Sequence, residues 1–180
     1  MMKKFFLLAF TVLGSVSLEA QKFQLDVATS QLTYKAKHMA HAWEGSNQNL
    51  QGLAVVDSSG LQKIAIKGAV RDFDSNNANR DSHALEVLEA LQFPEVRFFS
   101  GNIEAASSAE VILNGSLVFH GITLPKQIKA NYIKTEEGFQ LMGTFDFQAT
   151  DFSVDLPSFL LIKINDTIQI EFDLYFRSGS

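Results

Sequence analysis

The feature that most constrains this chain of 180 residues is the length of its alternating segments. Phe139, Leu141, Gly143, Phe145, Phe147 and Ala149 occupy every second position of one uninterrupted stretch. Val111, Leu113, Gly115, Leu117 and Phe119 form another, and Ile168, Ile170, Phe172, Leu174 and Phe176 a third. A period of two puts such residues on one face of a β-strand. Ile64, Ile66, Gly68 and Val70 continue the theme, as do Leu124, Ile128, Ala130 and Tyr132. Between Gln51 and Asp57 either Leu53 and Val55 or Ala54 and Val56 face inward. Short turn signals, Asp57-Ser58-Ser59-Gly60 and Glu136-Glu137-Gly138, join the segments. The length suits one domain with a real core and is too small for two large ones. Long strands with one apolar face need their edges hidden, and closing the sheet does that. The expected class is all-β: an antiparallel barrel of about eight strands, wide enough to be filled by side chains or to hold one small ligand.

One stretch departs from the alternation. Asp74-Ser75-Asn76-Asn77-Ala78-Asn79-Arg80 has turn composition, Asp81 and Ser82 offer N-cap side chains, and Ala84, Leu88 and Leu91 then share a helical face. Pro94 ends the helix, because the residue before a proline is pushed out of the α region. A short inserted helix of this kind must bury its apolar stripe, and the expected place is across an open end of the barrel. His38–Gly45 is expected to interrupt the strands as a loop carrying the only tryptophan, Trp43.

Residues 1–20 have the pattern of a signal peptide: Lys3 and Lys4, an apolar run from Phe5 to Leu13, and a small-residue exit ending at Ala20. The apolar run is too short to span a bilayer, so no stable membrane span is expected and the protein is placed in a periplasm or outside the cell. The barrel is assigned to residues 21–177 and a tail to 178–180. The absence of cysteine removes disulfides, thiol nucleophiles and thiolate metal ligands. A net charge of −5 with no basic cluster beyond the N-terminus gives a nucleic acid no electrostatic footing.

Several motifs resemble those of the YceI-like family, the lipocalin-like polyisoprenoid-binding proteins, over about Phe23 to Phe176. They are Ser30-Gln31-Leu32-Thr33-Tyr34 leading to Lys37-His38, His41 before Gly45, and Gly52 with Asp57. The most specific is Asn79-Arg80-Asp81-Ser82-His83-Ala84-Leu85, followed by Phe93-Pro94-Glu95-Val96-Arg97-Phe98. Gly115-Ser116-Leu117 and His120-Gly121-Ile122-Thr123 complete the set. The resemblance implies a lipocalin-like barrel with an apolar tunnel for an isoprenoid chain or similar long lipid. The chain departs from the family pattern at Asn76-Asn77, where a threonine is common, and in the Trp43 segment.

The sixteen phenylalanines carry the binding argument. Phe98, Leu117, Phe119, Ile128, Tyr132, Phe145, Phe147 and Phe172 are the expected wall, with Trp43, Leu85 and Leu88 apolar and His41, Arg80 and His83 polar at the mouth. Gly68, Gly115 and Gly143 lack side chains on apolar faces, which fits either close packing or room for a ligand. The expected ligand is a long-chain amphiphile, isoprenoid or quinone-like, with no cofactor; self-association as a homodimer is left open. No catalytic or metal site is assigned. Arg80 and Asp81 are expected to form a salt bridge and cap that pin their loop. Two alternatives stand beside the carrier: a histidine- or metal-dependent hydrolase built on His38, His41 and His83, and a barrel with a filled core serving a structural or partner-binding role.

Overall fold

The computed structural model describes residues 20–38, 41–159 and 162–179, so the expected signal peptide lies outside the described residues apart from Ala20. The strands are β1 (Gln21–Leu25), β2 (Gln31–His38), β3 (His41–Asn47), β4 (Leu50–Asp57) and β5 (Gly60–Ala69). After the helix α1 (Ala78–Val87) come β6 (Glu95–Ala105), β7 (Glu110–Phe119), β8 (Ile122–Lys134) and β9 (Gly138–Gln148). A small hairpin, β10 (Ser158–Phe159) with β11 (Ile162–Lys163), precedes β12 (Thr167–Ser178). Eight strands close in the order β1-β4-β5-β6-β7-β8-β9-β12, and β12 pairs back onto β1. Every pairing is antiparallel. The barrel reaches Ser178, which pairs with Phe23, one position beyond the expected boundary.

The final strand is long enough to serve two partners. Gln169–Asp173 pair with β2 and Phe176–Ser178 with β1, so β1 and β2 act as one broken strand. At the break the Asp26 carboxylate accepts from Ala28 N, and the 1%-exposed Ser30 hydroxyl accepts from Tyr175 N at 2.9 Å. That hydroxyl gives the partly buried Tyr175 amide a hydrogen-bond partner.

Alternation sets which faces turn inward. Ile64, Leu113, Leu117, Ile128, Ala130, Leu141, Phe172 and Leu174 are all buried. On β4 it is Ala54 that faces the core, whereas Leu53 is 56% exposed. Two clusters result. One gathers Phe23, Leu25, Leu61, Val111, Phe139 and Phe176 at the end where β4–β5, β6–β7 and β8–β9 turn. The other gathers Leu117, Phe119, Ala149, Phe152 and Val154 at the opposite end, against Val87 and Leu88 from α1 and its exit.

The irregular segments correct three expectations. His38–Gly45 is not a loop: β2 and β3 form a hairpin in which His38 faces His41, Ala36 faces Trp43 and Tyr34 faces Gly45. The helix starts earlier than Asp81, because Asn77 is its cap and accepts from Arg80 N at 3.1 Å. It also ends earlier, at Val87. Glu89 adopts a left-handed φ of 44°, the chain leaves the helix there, and Leu91 stands fully in solvent instead of on the buried face. The helix is held at its start by the Ser46–Asp74 bridge, whose two hydrogen bonds are each 2.9 Å.

Candidate functional site

The end of the barrel that carries α1 encloses a cavity of about 970 Å³. That lies at the upper end of the ordinary range for small-molecule pockets. Its body is apolar: Leu117, Phe119, Ile128, Phe145, Phe147 and Phe172 come from four neighbouring strands. These side chains reach it because each occupies an inward position of its strand. Leu85 and Leu88, from α1 and its C-cap, form the roof with Val87. Phe98 closes one side from β6.

Every expected binding residue lines this cavity except Tyr132. Tyr132 does face inward, but β8 is thirteen residues long and its last third runs to the other end of the barrel. There its ring packs on Phe139 at 5.1 Å. The pattern of sequence gives the face of a residue and not its depth. The glycines resolve in favour of close packing. A Cβ on Gly115 would stand 2.6 Å from Phe98 Cζ, and one on Gly143 2.7 Å from Phe172 Cζ, so aromatic rings already occupy those spaces. At Gly68 the neighbour is Leu50, at 2.9 Å.

The polar part of the wall gathers where β2 and β3 face the first turn of α1. Arg80 lies over the Trp43 ring, its Cζ 5.9 Å from the centroid. The expected bridge between Arg80 and Asp81 is replaced by a shared partner. The hydroxyl of Ser75 donates to Asp81 Oδ1 at 2.6 Å and accepts from Arg80 Nε at 2.9 Å. Ser75 is buried, so the two charges are fixed from behind. Sequence reading missed it because serine in a polar run carries no periodic signal. Tyr34 completes the patch, its phenol set among the Trp43, Ser75, Arg80 and Asp81 side chains. Burial, and then the negative charge of Asp81, push its phenol above the usual tyrosine range.

The histidines are distributed around this mouth. His38, His41 and His83 line the cavity. His83 is largely exposed and stands 3.4 Å from Glu86 on its own helix. His120 lies apart, buried in the β7–β8 turn, with Nδ1 2.9 Å from the Phe152 carbonyl and Nε2 3.1 Å from the Glu89 carboxylate. Its ring packs on Phe93 at 4.4 Å. Among the described residues, no three His, Asp or Glu side chains assemble as metal ligands would.

An antiparallel eight-strand barrel with a helix over an apolar chamber is thus the class of protein that fold and site define. The YceI-like domain matches residues 23–176, and the chain belongs to that family. A UPF0312 protein of Shewanella baltica is 25% identical over 163 residues, covering 83% of this chain and 85% of the relative. Among solved structures, BcnA of Burkholderia cenocepacia superposes with a TM-score of 0.76 at 18% identity, covering 83% of this chain and 98% of its own. A polyisoprenoid-binding domain of Saccharophagus degradans gives 0.69 at 12% identity, covering 87% and 98%. At these identities the structural likeness is one of fold.

Proposed function

We propose that this protein is an exported carrier that takes a long-chain amphiphile into its cavity, with an isoprenoid tail as the favoured cargo and no catalytic step. The observation that carries the reading is the chamber itself: about 970 Å³, apolar through its body and polar on one side of its mouth. Each CH₂ taken out of water contributes about 0.8 kcal/mol, so a continuous greasy lining binds a prenyl tail without many specific contacts. The polyisoprenoid-binding character of the Saccharophagus domain, which shares the fold, supports the same cargo class. The leader pattern of residues 1–20 supports export to a periplasm or beyond, and a carrier is useful where a lipid must cross water. No helix among the described residues is long and apolar enough to cross a membrane. Organic extraction of protein purified from its native compartment, followed by mass spectrometry, is expected to release one or more long-chain lipids in near-stoichiometric amount. Repeated extraction that yields none, together with failure to take up added lipid, would refute the carrier role.

A further inference from the structure

A long-chain cargo has a tail and a head, and the wall of the cavity treats the two differently. Arg80 and Asp81 both line the chamber, both are partly buried, and both are tied to the same buried Ser75. These ties leave capacity over. A guanidinium has five N–H donors, and the structure accounts for two of them: Nε on the Ser75 hydroxyl and Nη2 on the Ser75 carbonyl at 3.4 Å. Asp81 accepts from the Ser75 hydroxyl and, at 3.3 Å, from its amide, which occupies part of the four lone-pair directions a carboxylate offers. A donor and an acceptor of opposite charge therefore stand side by side at the polar edge of an apolar chamber. Trp43 lies beneath the donor, with Arg80 Cζ 5.9 Å from its ring centroid.

We propose that this Arg80–Asp81 pair is the head-group site, and that the cargo it selects is uncharged and ends in a hydroxyl, as a long-chain alcohol does. The inference rests on the carrier reading and narrows it. A hydroxyl is one donor and an acceptor at once, the complement of the two residues together. An ether or ketone only accepts, and leaves the free side of Asp81 without a partner. A phosphate brings acceptors and negative charge, which Arg80 favours and Asp81 opposes, at the cost of desolvating the anion. The other ionisable groups of the wall are Lys67, paired with Glu95 at 3.3 Å, the solvent-exposed Arg97, and the imidazoles of His38, His41 and His83, the last 3.4 Å from Glu86.

Four C20 isoprenoid probes with one tail test it: the alcohol, its methyl ether, its phosphate monoester and the parent hydrocarbon. Each is titrated into delipidated protein and followed by the fluorescence of Trp43, the only tryptophan, with calorimetry as the second readout. The alcohol is expected to bind about tenfold or more tightly than the ether, the size of one hydrogen bond to a charged group, with hydrocarbon and phosphate weaker still. Asp81→Asn, which exchanges a free acceptor for a donor, is expected to bring alcohol and ether within about twofold while leaving the hydrocarbon unchanged. Equal affinity for alcohol and ether in the unaltered protein, or tightest binding of the phosphate, overturns the head-group assignment and leaves the carrier reading intact. Absence of binding by all four, hydrocarbon included, overturns both. The comparison among probes is made on the unaltered chain, so it stands even where Asp81→Asn costs the fold.

Discussion

The two ends of the barrel are built on opposite plans. At one end the strands are joined by short turns, and β1 lies between β4 and β12 to complete the ring. Phe139 stacks on Phe176 with centroids 4.9 Å apart and planes 13° from parallel, and Phe23 meets the same ring edge-on at 5.4 Å. At the other end β3 pairs with β2 alone, apart from the Ser46–Asp74 bridge, and α1 spans the opening. Phe139 and Phe147 share a strand and a face, yet the first is 1% exposed and packed on every side while the second borders a chamber. The contrast teaches that hollowness here comes from connectivity. Where residues 70–88 and 149–158 leave the barrel strands, the wall is made by a helix and loops.

The largest expected effect separates the two ends through stability. Phe139→Ala removes a ring from a filled site and leaves a void, so a loss of about 3–5 kcal/mol is expected. Phe147→Ala enlarges a space that exists already, so its loss is expected at about 1–2 kcal/mol, chiefly of ring contacts with Phe119 and Phe152. Urea unfolding midpoints measure both. Equal losses would mean that the mouth is packed as tightly as the closed end.

Adding volume sharpens the same contrast from the other direction. Ala36 borders the chamber and Ala54 sits in the filled cluster, and both are buried. Ala54→Phe must push neighbours out of their rotamers, and is expected to cost about 1–3 kcal/mol or more. Ala36→Phe has space to enter, so it is expected to change stability by less than about 1 kcal/mol while lowering lipid capacity. If Ala36→Phe proves as damaging as Ala54→Phe, the chamber does not exist in solution.

The alternation of strands was legible in the sequence, and with it the apolar faces of β5, β7, β9 and β12, which the barrel turns inward. Depth was not, which is why Tyr132 reads as a binding residue and packs at the closed end instead. Period two distinguishes inside from outside and repeats identically along the axis. The hairpin arm β3 was illegible for another reason. His41-Ala42-Trp43-Glu44-Gly45-Ser46-Asn47 has no apolar alternation, and it becomes a strand through its register with β2. The helix limits failed because capping is decided by geometry that several residues could supply. Asn77, Asp81 and Ser82 are all competent caps; Asp81 is drawn off by Ser75, and Asn77 takes the role. Of the mouth residues, Arg80 and His83 were legible through the Asn79–Leu85 family motif, whereas Trp43 stands in a segment that departs from that pattern and was legible as the only tryptophan of the chain.

A medium effect probes how the mouth is held in place. His120 and Gly121 form a two-residue turn with φ of 47° and 74°, the left-handed pair of a type I′ hairpin. His120 binds Glu89 and the Phe152 carbonyl, clamping the exit of α1 and the segment after β9 onto that turn. His120→Ala loses both bonds and strains the backbone, and is expected to cost about 2–3 kcal/mol. His120→Asn keeps a residue suited to the turn, so about 1 kcal/mol is expected. At about 2–4 °C per kcal/mol the two are separable by thermal unfolding. Silence of both variants would show that packing, and not this polar clamp, secures the hollow end.

The smallest effect is electrostatic and confined to the mouth. The Tyr34 phenol is shifted above its ordinary value of 10.0, by burial first and by the charge of Asp81 second, with Arg80, Trp43 and Ser75 acting against the shift. A phenol that holds its proton longer in the folded state than in the unfolded chain stabilises the fold fully below about pH 10. Above that pH the unfolded chain loses the proton first, the folded state binds more protons, and stability falls as pH rises through the folded value. Tyr132 is shifted in the same direction by burial alone at the closed end, which supplies an internal comparison. Tyr34→Phe is therefore expected to flatten the alkaline decline in stability, and Tyr132→Phe to flatten it independently. Because only Tyr34 faces a carboxylate, combining Tyr34→Phe with Asp81→Asn should change the slope by less than the sum of the two alone. Strict additivity, read from urea unfolding at a series of pH values between about 9 and 11, would place Asp81 outside the electrostatic reach of Tyr34.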